Sequence, residues 1–384
     1  MLIDYETLKF IWWILVGALL IGFAITDGMD MGVASLLPFV GRTDDERRVV
    51  INVVGPHWDG NQVWLITAGG AIFAAWPDVY AAAFSGFYMA MLLVLFALFF
   101  RPLGFDYRAK IDDARWRRVW DWALFAGSII PALIFGVAFG NLLQGVPFHL
   151  DEMLRAHYEG SLLTALLPLL NPFALLAGVI SVAMLCMHGG VWLQLRTTAP
   201  ISERVKGAIT LMGLVAVLGF VLGGVWIAYG IDGFRVVSQP APGGVSDPLA
   251  KTVVMEHGAW LAIYSKVPLS MLAPAIGIGG PLVTILLSRL NRPGLGFVTS
   301  ALSVAGIIGT AGLSMFPFIM PSKTHPGSSL TVWDATSSHL TLTVMFWVVV
   351  IFLPLVLIYT VWCYRRMWGK VTLDHVQTHG HSAY

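Results

Sequence analysis

Nine stretches of this chain are predominantly apolar, at about residues 10 to 29, 50 to 76, 81 to 100, 120 to 143, 171 to 195, 207 to 229, 268 to 288, 294 to 316 and 341 to 363. A helix needs about 20 such residues to cross roughly 30 Å of hydrocarbon, so each stretch is long enough to span a bilayer. Nothing else limits the fold as strongly. Inside hydrocarbon every backbone group must be satisfied within the structure, which leaves helices or a closed barrel. The stretches are continuous and lack the alternation of barrel strands, so helices remain. Composition agrees: 57% of the 384 residues are hydrophobic and 12% are charged, against roughly 45 to 50% and about 25% in a soluble domain. The expected fold is an all-α polytopic membrane protein, with residues 1–384 as a single integral membrane domain of nine transmembrane helices. Pro131, Pro274, Pro281 and Pro354 are expected to kink helices without ending them, because neighbouring helices satisfy the freed groups.

Charge sets the orientation. Of the 23 Lys and Arg, 17 fall on one side: Arg42, Arg47, Arg48, the six from Arg101 to Arg118, Arg196, Arg204, Lys206, Arg289, Arg292, Arg365, Arg366 and Lys370. The other side holds Lys9, Arg155, Arg235, Lys251, Lys266 and Lys323. The positive-inside rule then predicts a periplasmic N-terminus and a cytoplasmic C-terminus. The longer outward loops, near residues 144 to 170, 230 to 267 and 317 to 340, contain no sequence suggesting a soluble domain. A net charge of +1 and a pI of about 7.9 offer no basic field for nucleic acid and no acidic tail for a basic partner. Cys186 and Cys363 lie in apolar stretches without metal-ligand spacing. Asp4 and Glu6 stand where a secretory signal would be basic, so the first apolar segment is expected to stay as a helix.

An ionisable group at membrane depth costs on the order of 2.5 to 3.5 kcal/mol, which makes each one a functional candidate. Asp27 and Asp30 lie late in the first span, His57 and Asp59 early in the second, and His188 in the fifth. Asp27 and Asp30 share a helix face, and Gly28 and Gly32 permit a close neighbour. In GPHWDGNQVW, Pro56 is an expected kink. There Asp59 and Gln62 face one way and His57 and Asn61 nearly the other, so one polar stripe meets Asp27 and Asp30 while the other meets a partner. Asp59, about nine residues into its span, is expected roughly 13 Å deep. Two readings stand for these carboxylates: ties between helices, or a proton or cation pathway. For His57 and His188 the alternatives are interhelical hydrogen bonding and haem ligation. Trp12, Trp13, Trp76, Trp120, Trp122, Trp362 and Trp368 are expected at the membrane interfaces; Trp58 and Trp64 are not explained that way. PAIGIGGPL, from Pro274 to Leu282, reads as tight helix packing or a broken transporter helix.

The strings FIWWILVGALLIGFAITDGMDMG, GPHWDGNQVWLITAGGAIFAAWP, RPLGFDYRAK, GVAFGNLLQGVPF, MFPFIMPS and LTVWDATSS, in that order, closely resemble subunit II of the bacterial cytochrome bd quinol oxidases. The likeness runs from Tyr5 to the end, and length and the HSAY tail are most similar to the ubiquinol-oxidising branch. His188 departs from what is expected throughout the family. The resemblance implies a nine-helix inner-membrane subunit paired with a pseudo-symmetric subunit I, with small single-helix subunits in some members. It also implies ubiquinol and O2 as substrates of the complex. Two b-type haems, one d-type haem and the quinol-oxidising loop would belong to subunit I, while this chain supports that subunit and in some members holds a structural quinone. The acid of HWDG, here Asp59, is associated with the proton route, and the tryptophan of NQVW, here Trp64, with the oxygen entrance; depth and carboxyl chemistry, apart from the resemblance, suggest Asp27 or Asp30 as nearer-surface stations on that route. Beside this reading stand a secondary transporter with a midplane site at Asp27, Asp30 and PAIGIGG, and a purely structural membrane scaffold.

Overall fold

The computed structural model describes residues 3–158 and 166–378. Fifteen helices follow in chain order: α1 (Tyr5–Val40), α2 (Asp44–Val54), α3 (Trp58–Ala75), α4 (Pro77–Gly86), α5 (Tyr88–Leu98), α6 (Phe100–Tyr107), α7 (Ala114–Gln144), α8 (Leu166–Leu169), α9 (Pro172–Arg196), α10 (Ile201–Gly230), α11 (Ala262–Lys266), α12 (Leu272–Arg289), α13 (Pro293–Met315), α14 (His339–Arg366) and α15 (Leu373–Thr378). Among the described residues eight helical segments are long and apolar enough to cross a membrane: Tyr5–Val40, Tyr88–Tyr107, Ala114–Gln144, Pro172–Arg196, Ile201–Gly230, Pro268–Arg289, Pro293–Met315 and His339–Arg366. The missing stretch is the second. Its helix α3 has 18 residues, but the first two turns carry Asp59, Asn61 and Gln62.

Local chemistry sets the ends. Asp4 caps α1 by accepting from the Thr7 amide at 2.9 Å, and Asp113 caps α7 through the Arg115 and Trp116 amides. Thr43 and Glu46 form a capping box at α2. Gly145 ends α7 at φ +80, where a side chain would be strained.

Three expected boundaries move. The first span does not stop near residue 29 but continues to Val40, since Pro38 still fits the helix and only Gly41 closes it. The second does not begin at residue 50. Gly55 and Pro56 separate the short α2 from α3, so Pro56 marks a break between two helices and not a kink within one. The third lies at Tyr88–Tyr107 in place of 81 to 100, because Pro77 starts a separate helix α4. That shift carries Arg101 from a loop into a helix. Pro131, Pro281 and Pro354 sit inside unbroken helices, whereas Pro274 falls in the first turn of α12, where it breaks no ladder bond and kinks nothing.

Helix α9 forms the centre, packed on α1, α7, α10 and α13. Glycines permit the approach: a Cβ at Gly32 would lie 2.0 Å from the Leu185 carbonyl oxygen, and one at Gly189 2.5 Å from the Val33 nitrogen. Around PAIGIGG, α12 is continuous, with Gly280 against Ser303 and Gly306 of α13 against the Gly277 nitrogen, which is tight packing and not a broken helix. By contrast, Leu342 is the one buried residue of α14. Trp12 and Trp76 are also corrected: both are buried, donating to the Leu342 and Val332 carbonyls, and are core side chains, while Trp122, Trp362 and Trp368 are exposed.

At the end of the bundle opposite the arginine-rich loops three antiparallel hairpins form a small cap: β1 (Phe148–Leu150) with β2 (Ala156–Tyr158), β3 (Asp232–Ser238) with β4 (Thr252–His257), and β5 (Phe318–Met320) with β6 (Leu330–Thr331). Phe234, Trp260 and Phe318 pack with ring centroids 5.6 to 6.0 Å apart, and Trp260 donates to the Leu143 carbonyl at the end of α7.

Candidate functional site

Where α1, α3, α6 and α14 converge, five polar side chains and one guanidinium are gathered in the apolar body. Asp27 lies about 20 Å from the C-terminal end of α1 at 1.5 Å per residue. It is fully buried, as is Arg101 on α6. The Arg101 Nη1 and Nη2 donate to the two Asp27 oxygens at 2.9 and 2.5 Å, a two-pronged pair. The Trp58 ring lies 5.7 Å from the same guanidinium. The sequence does not single out Arg101, because there it stands among the loop cations just past the third apolar stretch. The signal was nonetheless present: a cation directly after the apolar run YMAMLLVLFALFF, and an acid in the first span without a cation of its own.

Asp30, one turn further along α1, has different company. Its Oδ2 accepts from Asn61 Nδ2 at 2.7 Å, while its Oδ1 is buried without a hydrogen bond and lies 3.5 Å from His57 Nδ1. Asn61 Nδ2 is also 3.1 Å from His57 Nδ1, and Asn61 Oδ1 accepts from the Tyr364 hydroxyl at 2.9 Å. His57 Nε2 lies 3.1 Å from the Val53 carbonyl, which only accepts, so Nε2 carries a hydrogen. The Nδ1 atom is then a lone pair facing Asn61, or a second N–H facing Asp30.

The other stripe of α3 points away. Asp59 is exposed on the surface of the chain and its side chain makes no hydrogen bond or ion pair among the described residues; Gln62 is half-buried. The structure therefore brings Asp27, Asp30, His57 and Asn61 together and leaves Asp59 and Gln62 on the opposite face. Asp59 lies in the first turn of α3, so its depth does not come from nine preceding residues of one span; it follows from Asn61, two positions on, reaching Asp30. Trp64 lies over Gly22 of α1, where a Cβ would meet its ring at 3.0 Å.

His188 is fully buried in α9, stacked on Phe297 with centroids 4.8 Å apart. Its Nε2 donates to the Ile25 carbonyl at 3.0 Å and its Nδ1 meets Ser300 Oγ at 2.7 Å. Both ring nitrogens of His188, like both of His57, are taken by protein groups, so neither side chain as placed presents a free nitrogen to a haem iron. The described residues contain no cluster of three metal-ligating side chains.

Comparison with known proteins places this arrangement. The family profile of cytochrome bd terminal oxidase subunit II matches residues 8–367. The chain is 56% identical over 383 residues to cytochrome bd-I ubiquinol oxidase subunit 2 of Escherichia coli strain K12, covering all of both chains. It is 35% identical over 373 residues to cytochrome bd ubiquinol oxidase subunit 2 of Bacillus subtilis, covering 96% of this chain and 98% of that one. A chain of the bd oxidase from Geobacillus thermodenitrificans superimposes with a TM-score of 0.63 at 11% identity, covering 94% of this chain and 99% of that one, a likeness of fold. With matches that span nearly the whole sequence, the chain belongs to the cytochrome bd terminal oxidase subunit II family.

Proposed function

We propose that this chain works in the bacterial inner membrane as subunit II of a complex that oxidises ubiquinol and reduces O2 to water, supporting a haem-bearing subunit I and delivering protons toward its oxygen-reducing site. The observation that carries this reading is the outward stripe of α3. A carboxyl such as Asp59 is expensive against lipid, so the face it shares with Gln62, beside the almost wholly exposed α14, requires a protein cover. Subunit I is that cover. Small single-helix subunits, where present, would add to the same assembly. The engaged nitrogens of His57 and His188 favour assigning the two b-type haems and the d-type haem to subunit I. Nine spans with the N-terminus outside and the C-terminus inside fit the Lys and Arg distribution, with α3 as the polar ninth. A fluorescent reporter that matures only in the cytoplasm, fused after Tyr384, would then glow.

Within this chain the three acids divide the work. Asp27 is held by Arg101 as a fixed ion pair, which makes it a tie between α1 and α6. Asp30, with one free oxygen beside His57, is the internal carboxyl able to exchange a proton. Asp59 passes protons at the surface that meets subunit I. Trp64, on the same helix, borders the oxygen entrance, so a small side chain there is expected to alter the apparent oxygen affinity more than the quinol affinity.

The test is Asp59→Asn in the whole complex. An amide keeps the shape of the carboxyl but does not carry a proton. Assembly and haem content should stay as in the wild type while quinol-driven oxygen consumption falls several-fold, and Asp59→Glu should retain more activity. Wild-type turnover in the Asn variant would make Asp59 a structural group and leave the proton route to subunit I.

A further inference from the structure

At the basic end of the molecule, the start of α7 and the start of α2 enclose a cleft of about 140 Å³ lined by Asp44, Arg47, Ala114, Arg117 and Arg118. The acids around it position the arginines. Asp121 accepts from Arg47 Nη1 at 2.8 Å and from Arg108 Nε at 2.6 Å, and Asp44 accepts from Arg108 Nη2 at 2.7 Å and Arg117 Nη1 at 2.8 Å. Burial opposes the charge on Arg108, yet Asp121 and Asp44 hold it above its ordinary value. Arg47 is further fixed by donating from Nε to the Gly41 carbonyl at 2.9 Å. Arg118 makes no side-chain hydrogen bond or ion pair among the described residues, so its donors are free. Arg117 Nη2 also donates to Asp112 at 2.6 Å, so Arg47 and Arg117 are each matched by acids and Arg118 is the lining cation left without an ion pair among the described residues.

The cleft also sits at a defined height. Exposed Trp122 packs edge-on against exposed Phe39 at 6.2 Å and against Phe125 at 5.3 Å. Phe39 stands two residues before Gly41, the partner of Arg47. Such an exposed aromatic cluster marks the level of lipid headgroups, and the arginines stand immediately beyond it.

We infer that this cleft binds the phosphate of an anionic phospholipid. Arginine forks suit a phosphate diester, since planar paired donors match two phosphoryl oxygens. An arginine just past an aromatic belt meets that group without leaving the surface. Free inorganic phosphate shares the chemistry, but the adjoining apolar aromatic cluster favours a molecule with an acyl tail.

The test uses the intact complex, delipidated in detergent and offered phosphatidylglycerol or phosphatidylcholine, with bound lipid counted by native mass spectrometry. The wild type should retain phosphatidylglycerol in preference to phosphatidylcholine. Arg118→Gln, which breaks no internal bond, should reduce that retention about tenfold, as expected for about 1.4 kcal/mol at one charged contact. Arg118→Lys should restore part of it, and turnover should be unchanged. No preference between the two lipids in the wild type, or equal phosphatidylglycerol retention in Arg118→Gln, would overturn the site. If inorganic phosphate displaces the lipid and binds the delipidated complex as well as the lipid did, the ligand is free phosphate and the lipid assignment fails.

Discussion

Two regions of the molecule bury charge, and they do so by different means. In the membrane body Arg101 is neutralised by a side chain from another span, Asp27. At the hairpin-capped end Lys9 is equally buried, yet its Nζ donates to three backbone carbonyls, those of Pro242, Gly244 and Trp333, at 2.9, 3.2 and 2.5 Å, and lies over the Tyr5 ring. The difference lies in what the surroundings offer. Helices in hydrocarbon spend their carbonyls on their own ladders, so a buried charge there depends on one opposing side chain. Loops keep carbonyls free, so a cation there is solvated by several partners, none of them essential. Lys251 is intermediate: it pairs with Asp334 at 2.9 Å and donates to the Pro248 carbonyl at 2.6 Å, while burial pulls its ammonium below the ordinary range.

The largest effect should come from breaking the single-partner case. Arg101→Met leaves the Asp27 carboxylate without its counterion, at a cost of about 3 to 5 kcal/mol for a broken buried pair. The complex should fail to accumulate in membranes, and adding Asp27→Leu should restore much of it by removing the orphan. Normal accumulation of the single variant, measured by immunoblot and haem absorbance, would erase the contrast.

A smaller loss is expected at the many-partner site. Lys9→Met leaves three carbonyls to water and neighbouring amides, so about 1 to 3 kcal/mol is at stake. The complex should assemble and unfold a few degrees earlier, with faster proteolysis in the loop segment 239–250. A defect as severe as that of Arg101→Met would show that free carbonyls do not soften the loss.

The smallest effect lies outside the membrane. Glu46 accepts from Arg204 at 2.8 Å and from the Arg42 amide at 2.7 Å, and the Arg204 hydrogen bond is foremost in holding its carboxyl down at about 2. A carboxyl depressed in the folded state contributes stability that is complete above its ordinary value near 4.5 and is lost as pH falls toward 2. Glu46→Gln should therefore lower the melting temperature modestly at pH 7, and the gap to wild type should close below pH 4.5. A gap that persists at low pH would assign the loss to packing and not to charge.

Much of this was open to reading along the chain. Hydropathy is a local sum, so the apolar stretches, their crowding by glycine at Gly28 and Gly32, and the sidedness of Lys and Arg follow from residues taken in order. So does the opposition of His57 and Asn61 to Asp59 and Gln62, which is the geometry of a single helix. Which stripe turned inward was decided by Asp30 of α1 meeting Asn61 across 31 positions. Hydropathy also placed Arg101 just beyond the third span. Its pairing with Asp27, 74 positions away, depends on α6 continuing the third span to Tyr107 and on α1 reaching Val40. The break at Gly55 and Pro56 belongs to the same class, since it moved Asp59 to a helix start without changing its neighbours in sequence. The sequence by itself determined which residues are apolar enough to cross and which are too polar to lie against lipid. Only the tertiary structure decided which polar groups satisfy one another, because a buried charge is stabilised by partners a few ångströms away in space, wherever they stand in the chain.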